Sequence, residues 1–113
     1  MSNKLLELIT KTVDDRLGED IVVLDFRNHN PFCDYFVIAT ALNHRMAKSI
    51  VDSVEEKVLA SGGAIRALEG NEDSDWLLID CYDVVVHIFV GAERHVYQLE
   101  RLWGDLPKIE VQV

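Results

Sequence analysis

The chain has 113 residues, of which 49% are hydrophobic and 27% charged, enough for one domain with its own core. Its net charge of −9 argues against binding to nucleic-acid phosphates, which needs clustered Lys and Arg, and suits a partner with a basic surface. No apolar run approaches the roughly 18 residues of a membrane span, and the N-terminus resembles neither a signal nor a transit peptide. We therefore expect a cytoplasmic protein with its two cysteines, Cys33 and Cys81, reduced.

The first sixty residues predict the order helix, strand, strand, helix. Ser2 is a candidate N-cap for a helix that ends before Gly18. Two β-branched runs at 21–26 and 35–40 predict neighbouring antiparallel strands, because the connection between them is short. The predicted apolar stripe of the first helix consists of Leu5, Leu8, Ile9 and Val13.

A long helical pattern covers residues 43–61. Asn43 can cap it, and Gly62 and Gly63 end it. Apolar residues recur along one side of this helix and predict its buried face: Ala47, Ile50, Val51, Val54 and Val58.

The remainder predicts a short strand at 65–68, two further strands and a last helix at 91–103. The tail after Pro107 could be loose or could add an edge strand. The order α-β-β-α-β-β-β-α predicts an α/β (α+β) fold, a mixed five-stranded sheet with helices mainly on one face. We expect a single domain over residues 1–105, followed by a tail at 106–113. The apolar side of the last helix is predicted to carry Val96, Leu99, Leu102 and Trp103.

The segment 69–89 predicts an acidic loop followed by an antiparallel hairpin. With Cys81 and Tyr82 as the turn, Trp76 would face His87. Because side chains alternate along a strand, one face would be wholly aliphatic and form the core. We call this the aliphatic face: Leu77, Ile79, Val84, Val86 and Ile88. The opposite face, which we call the Trp76 face, is predicted to be partly open and to carry Trp76, Leu78, Asp80, Asp83, Val85 and His87.

The Trp76 face invites two interpretations. Trp76 could be a core residue, but Leu77 and Ile79 already occupy the aliphatic face. Tryptophan is also a frequent interface anchor, particularly inside a polar rim. The rim here is acidic and contains no Lys or Arg between its members: Glu69, Glu72, Asp73, Asp75, Asp80 and Asp83.

No catalytic motif stands out. The four histidines have no ligand-like spacing with one another or with the cysteines. A glycine turn followed by Asp73-Ser74-Asp75 leaves one enzyme alternative, a metal-dependent nucleotidyltransferase that would use these aspartates with Asp83. A solvated acidic loop explains the same residues. A third alternative is a module that uses the Trp76 face only for self-association.

Several motifs together resemble one known family. They are DYFVIAT at 34–40, EG at 69–70 leading to DW at 75–76, Asp80, and DVVVHIF at 83–89. Near the end, Tyr97, Leu99, Glu100, Leu102 and Trp103 belong to the same pattern. The chain resembles the ribosomal silencing factor family, also called Iojap-related, over about residues 3–104.

The resemblance implies a nucleotidyltransferase-like fold without the catalytic carboxylate set, and hence a binding protein rather than an enzyme, with no cofactor or metal. It implies docking on the large ribosomal subunit through the fourteenth protein of that subunit. Docking would block joining of the small subunit and so repress translation. A homodimer is expected for the free protein, without DNA or membrane binding. The implied docking residues are Glu69, Asp75, Trp76, Leu78, Asp80, Asp83 and His87.

Two positions depart from the family pattern. Tyr82 stands where glycine is usual, and tyrosine resists the positive φ of a type I′ turn. Ala41-Leu42-Asn43 replaces a usual Gly-Thr-Ser before the long helix. The first departure leaves the type of the hairpin turn open. The second changes contacts or dimerisation if that loop takes part in them.

Overall fold

The computed structural model describes residues 4–27 and 33–91, and the backbone of two residues near the end. Ser2, residues 28–32 of the first turn, and residues 92–103 of the predicted last helix lie outside the described residues. In chain order the elements are α1 (Lys4–Asp15), β1 (Glu19–Asp25), β2 (Tyr35–Ala41), α2 (His44–Ala60), β3 (Ala67–Glu69), β4 (Trp76–Asp80), β5 (Val84–Val90) and β6 (Lys108–Ile109).

The strands form one mixed sheet in the order β3-β4-β5-β2-β1-β6. Strands β2 and β5 pair in parallel over seven residues, from Tyr35 opposite Val84 to Ala41 opposite Val90. The other pairs are antiparallel, including the predicted pair of β1 and β2. The α+β class and the five predicted strands are confirmed, and β6 adds the edge strand that was one alternative for the tail. The division at residues 105 and 106 stays a prediction.

Both described helices pack on the aliphatic face. Alternate residues of β2, β4 and β5 meet α1 and α2 in a single apolar cluster. The predicted core positions of the hairpin are all 2% exposed or less: Leu77, Ile79, Val84, Val86 and Ile88. The sheet alternation therefore assigned this face correctly.

The buried stripe of α1 differs from the predicted one. Ile9 and Val13 are fully buried, as predicted, but Leu6 replaces Leu5 and Leu8, which are only half-buried. Several leucines lie close together in the first turns, so helical spacing alone allows more than one stripe. Contact with the sheet and α2 selects the one that contains Leu6.

The helix ends are set by particular side chains and backbone angles. The Asn43 side chain accepts a hydrogen bond from the Met46 N–H at 2.9 Å, which confirms the predicted cap of α2. At the end of α1, Leu17 rather than Gly18 adopts the positive φ, at 66°. Gly18 is required for a different reason, because a Cβ there would lie 2.4 Å from Val13 Cγ1.

The Trp76 face is less open than predicted. Leu24, Ile38 and Phe89 on this side of the sheet are 0% exposed and belong to a second apolar cluster. Four apolar residues that pack against this cluster are half-buried: Trp76 and Leu78 of β4, Val22 of β1 and Phe36 of β2. The sheet thus has an apolar cluster on each face, and β4 carries the margin of the second one.

Candidate interaction surface

The hairpin register differs from the predicted one by two residues. Trp76 lies opposite Phe89, and Leu78 lies opposite His87. The Cys81 N–H donates to the Val84 carbonyl at 2.9 Å, so Tyr82 and Asp83 form the turn. A shift of two residues leaves every side chain within β4 and β5 on its predicted face, since side chains alternate with a period of two.

Asp83 is the residue that this shift moves. It does not face Asp80, but is exposed in the turn. Its carbonyl oxygen accepts hydrogen bonds from the N–H groups of Asp34 at 2.7 Å and Tyr35 at 3.0 Å. The backbone of Asp83 therefore ties the turn to β2, while its side chain is accessible at the hairpin tip.

Trp76 is held by aromatic neighbours across β5. The indole stacks on Phe89 at 5.2 Å between ring centres, with 26° between the planes. Its N–H donates to His87 Nδ1 at 3.1 Å. His87 in turn lies 4.6 Å from the ring of Phe36. These contacts fix the orientation of the half-buried indole.

His87 is buried and holds the Trp76 indole in place through a hydrogen bond. It is only 4% exposed, unlike the other six residues that the sequence assigned to docking. Burial lowers its pKa from 6.5 to about 4, against a smaller opposing effect of the Asp80 carboxylate. Because the indole can only donate, the neutral ring must carry its proton on Nε2. That atom is buried without a hydrogen-bond partner among the residues that the structure describes.

Asp80 is engaged within the protein. Its carboxylate accepts from Arg66 Nε and from the Tyr82 backbone N–H, each at 2.9 Å. The Arg66 guanidinium also lies 4.9 Å from the centre of the Tyr82 ring. Arg66 precedes β3, whose antiparallel pairing with β4 brings it beside Asp80. The acidic segment at 69–83 gave no indication of this arginine, because Arg66 precedes it in the chain.

The remaining carboxylates differ in what they contact. The Asp75 carboxylate lies within hydrogen-bonding distance of His44 Nε2, at 2.7 Å, and the Asp75 side chain is 51% exposed. Glu69, opposite Leu78, and Asp83 are exposed and have no ion pair among the described residues. These two are the carboxylates best placed to meet cations of a partner.

The carboxylates named by the nucleotidyltransferase alternative do not come together. Asp73 and Asp75 precede β4, whereas Asp83 follows it, so the five residues of the strand separate them by roughly 17 Å. Within residues 4–27 and 33–91, no three His, Cys, Asp or Glu residues are grouped as a metal site. A two-metal centre needs its carboxylates around one point.

A cleft of about 640 Å³ opens on the helix side. It mixes charges of both signs, including an ion pair between Lys48 and Asp52. Its charged lining residues are Arg16, Arg45, Lys48, Asp52, Glu56 and Glu72. This balanced, polar cleft lacks the apolar lining that small-molecule sites usually have.

Among the described helices, none is long and apolar enough to cross a membrane.

Comparison with known proteins identifies the family. A family model described as "Ribosomal silencing factor during starvation" matches residues 1–113. The chain belongs to the ribosomal silencing factor family. It is 38% identical over 113 residues to the ribosomal silencing factor RsfS of Halalkalibacterium halodurans, covering 99% of this chain and 97% of that one. A crystal structure of a Chromobacterium violaceum protein superposes with a TM-score of 0.85 at 33% identity, covering 97% of this chain and 91% of that one.

Relatives at lower identity extend the family to organelles. The mouse protein named "Mitochondrial assembly of ribosomal large subunit protein 1" is 26% identical over 102 residues, which are 87% of this chain and 44% of that one. The maize protein named "Protein Iojap, chloroplastic" is 29% identical over 106 residues, which are 91% of this chain and 45% of that one. The Iojap relationship implied by the sequence motifs is thereby confirmed. The nucleotidyltransferase kinship stays a prediction.

Proposed function

We propose that this ribosomal silencing factor binds the large ribosomal subunit through its fourteenth protein and blocks joining of the small subunit. The observation that carries the proposal is the half-buried pair Trp76 and Leu78 at the margin of the second apolar cluster, beside exposed carboxylates. We define the docking surface as Trp76, Leu78, Glu69 and Asp83, with Asp75 at its edge. Its two apolar residues supply the anchor, and Glu69 and Asp83 pair with Lys or Arg of the partner.

The role of the other two assigned residues is indirect. His87 is buried and fixes the indole, and Asp80 is engaged with Arg66 and Tyr82. Both therefore position the docking surface instead of contacting the partner. An anchor held in one orientation loses less side-chain entropy on binding.

The mechanism requires no turnover. A typical stable interface buries roughly 1,600 Å² in total, and a protein bound on the joining surface excludes the other subunit by its volume. The family match and the name of the mouse relative, which refers to the ribosomal large subunit, support this partner. We infer a cytoplasmic protein that self-associates as a homodimer when free, acts without a cofactor and binds neither DNA nor membranes.

Co-sedimentation with isolated large subunits tests the proposal. Trp76→Ala removes the anchor and is expected to weaken binding by about 2 kcal/mol. Small subunits added to the wild-type complex should remain unjoined in a sucrose gradient. Leu59→Ala is the matched control, because Leu59 is a 52% exposed apolar residue of α2, away from the docking surface.

Equal binding of wild type and Trp76→Ala would show that the anchor is wrong. If the wild type binds but subunits still join, the blocking mechanism is wrong instead. Mass photometry with and without large subunits distinguishes a surface used for both dimerisation and docking from one used for self-association alone.

A further inference from the structure

We propose that Tyr82 is a further docking residue, which extends the docking surface to the hairpin tip and contacts a Lys- or Arg-bearing part of the same protein of the large subunit. The inference rests on the proposed function. It starts from the backbone of Tyr82, whose φ is 70°. This left-handed conformation is unfavourable for bulky residues, and strained backbone is concentrated at functional sites.

The strained turn is held by a small set of contacts. Both carboxylate oxygens of Asp80 are used, one by the Tyr82 N–H and the other by Arg66 Nε. The Arg66 guanidinium then covers one face of the Tyr82 ring at 4.9 Å. The backbone and the ring of Tyr82 are thus held by two residues, Asp80 at the end of β4 and Arg66 directly before β3.

These contacts also determine where the ring lies. Asp80 belongs to the Trp76 face, and Arg66 contacts both Asp80 and Tyr82. The ring therefore lies on the same side of the sheet as Trp76 and Leu78. The six residue-to-residue steps from Trp76 to Tyr82 span at most about 20 Å of extended chain, which fits within a standard interface patch.

The exposure and chemistry of Tyr82 suit a protein partner. Among the residues that the structure describes, Tyr82 is one of five large hydrophobic residues that are exposed, at 46%. Tyrosine is enriched in protein interfaces, and an immobilised ring loses little entropy on binding. The neighbouring Asp83 carboxylate is exposed and has no ion pair within the described part of the chain. An aromatic ring beside a carboxylate favours a partner surface that presents Lys or Arg.

Two substitutions that tolerate positive φ provide the test, Tyr82→Gly and Tyr82→Asn. Both remove the ring but relieve the strained backbone. We expect each variant to bind isolated large subunits about tenfold more weakly than wild type. We expect their melting temperatures to stay within about 4 °C of wild type, because relief of strain offsets the lost contact with Arg66. Titrations of labelled protein with large subunits measure the affinity.

Leu17→Gly is the matched control. Leu17 is another exposed apolar residue with positive φ, at 66°, but it follows α1 on the helix side of the sheet. Its substitution relieves the backbone in the same way and should leave binding unchanged. Any general effect of backbone relief on affinity would appear in this control.

The outcomes separate this inference from the proposed function. If the wild type binds, Trp76→Ala binds weakly and both Tyr82 variants bind as tightly as wild type, the role of Tyr82 is wrong while the docking surface stands. If the wild type does not bind large subunits, both proposals fail. If both Tyr82 variants melt well below wild type, Tyr82 holds the fold together and the docking role is also wrong.

Discussion

The two faces of the hairpin use the same pair of strands for different purposes. On the aliphatic face, Ile79 lies opposite Val86, and both are 0% exposed. On the Trp76 face, Leu78 lies opposite His87, with Leu78 half-buried and His87 buried. Every residue of β5 is buried, so both faces contribute to the fold. Only the Trp76 face combines apolar surface with polar groups that fix the orientation of its side chains.

The difference shows how a surface can be apolar and still specific. Aliphatic side chains pack by volume and leave no directional bond to position a neighbour. Trp76 instead is oriented by its bond to His87 and its stacking on Phe89. The cost of this arrangement is a buried Nε2–H without an acceptor among the described residues. We interpret this unsatisfied polar group as the consequence of holding the Trp76 indole in one orientation.

Alanine substitutions on neighbouring residues of β4 should produce the largest contrast. Ile79→Ala removes a fully buried side chain and should lower the free energy of unfolding by about 4 kcal/mol. Leu78→Ala, at a half-buried position, should lower it by only about 1 kcal/mol. Urea denaturation followed by circular dichroism measures both.

Binding should show the reverse order. Leu78→Ala is expected to weaken docking on large subunits, and Ile79→Ala, assayed below its unfolding transition, is expected to bind as wild type. If the two variants lost equal stability and equal affinity, the separation of the two faces into core and docking surface would be wrong.

The pH dependence of stability tests the role of His87. Its folded-state pKa of about 4 lies below the ordinary 6.5, so the unfolded chain binds more protons between these values. The free energy of unfolding should therefore fall by about 3 kcal/mol as the pH decreases from about 6.5 to about 4. Denaturation at a series of pH values measures this slope.

His87→Asn provides the control, because its amide oxygen can still accept from the indole but does not titrate. Carboxylates titrate in both proteins, so the difference between the two pH curves isolates the contribution of His87. The Trp76 indole N–H should exchange slowly with solvent in wild type and in His87→Asn, and faster in His87→Leu. A difference curve without slope would show that His87 is not held neutral by burial.

The sequence predicted the features that depend on local pattern. Asn43 was identified as a cap because its side chain acts within one turn of the helix. The two hairpin faces were assigned correctly despite the wrong register, since an even shift conserves the alternation. The positions of Leu6 and Arg66 could not be predicted in this way. Leu6 is selected by packing against other elements, and Arg66 meets Asp80 only through the pairing of β3 with β4.

The conformation of Tyr82 also depends on contacts with a distant part of the chain and could not be predicted from local sequence pattern. A tyrosine was expected to resist positive φ, yet it adopts 70°. Arg66 stabilises this turn from 16 positions earlier in the chain, through contacts that no spacing rule contains. At this position the chain therefore combines a positive φ with an exposed aromatic ring.

The two aspartates at the hairpin tip give the smallest and most selective contrast. Asp83 is exposed, so Asp83→Asn should leave stability unchanged and weaken docking by up to about 1 kcal/mol, mainly through slower association. It should also reduce the dependence of the association rate on salt.

Asp80→Asn weakens the ion pair with Arg66 and the hydrogen bond from the Tyr82 N–H, so its main effect should be a loss of stability. Stopped-flow association at several salt concentrations, with thermal melts of each variant, measures both effects. If Asp80→Asn slowed association without a loss of stability, Asp80 would contact the partner directly, and the assignment of a positioning role to it would be wrong.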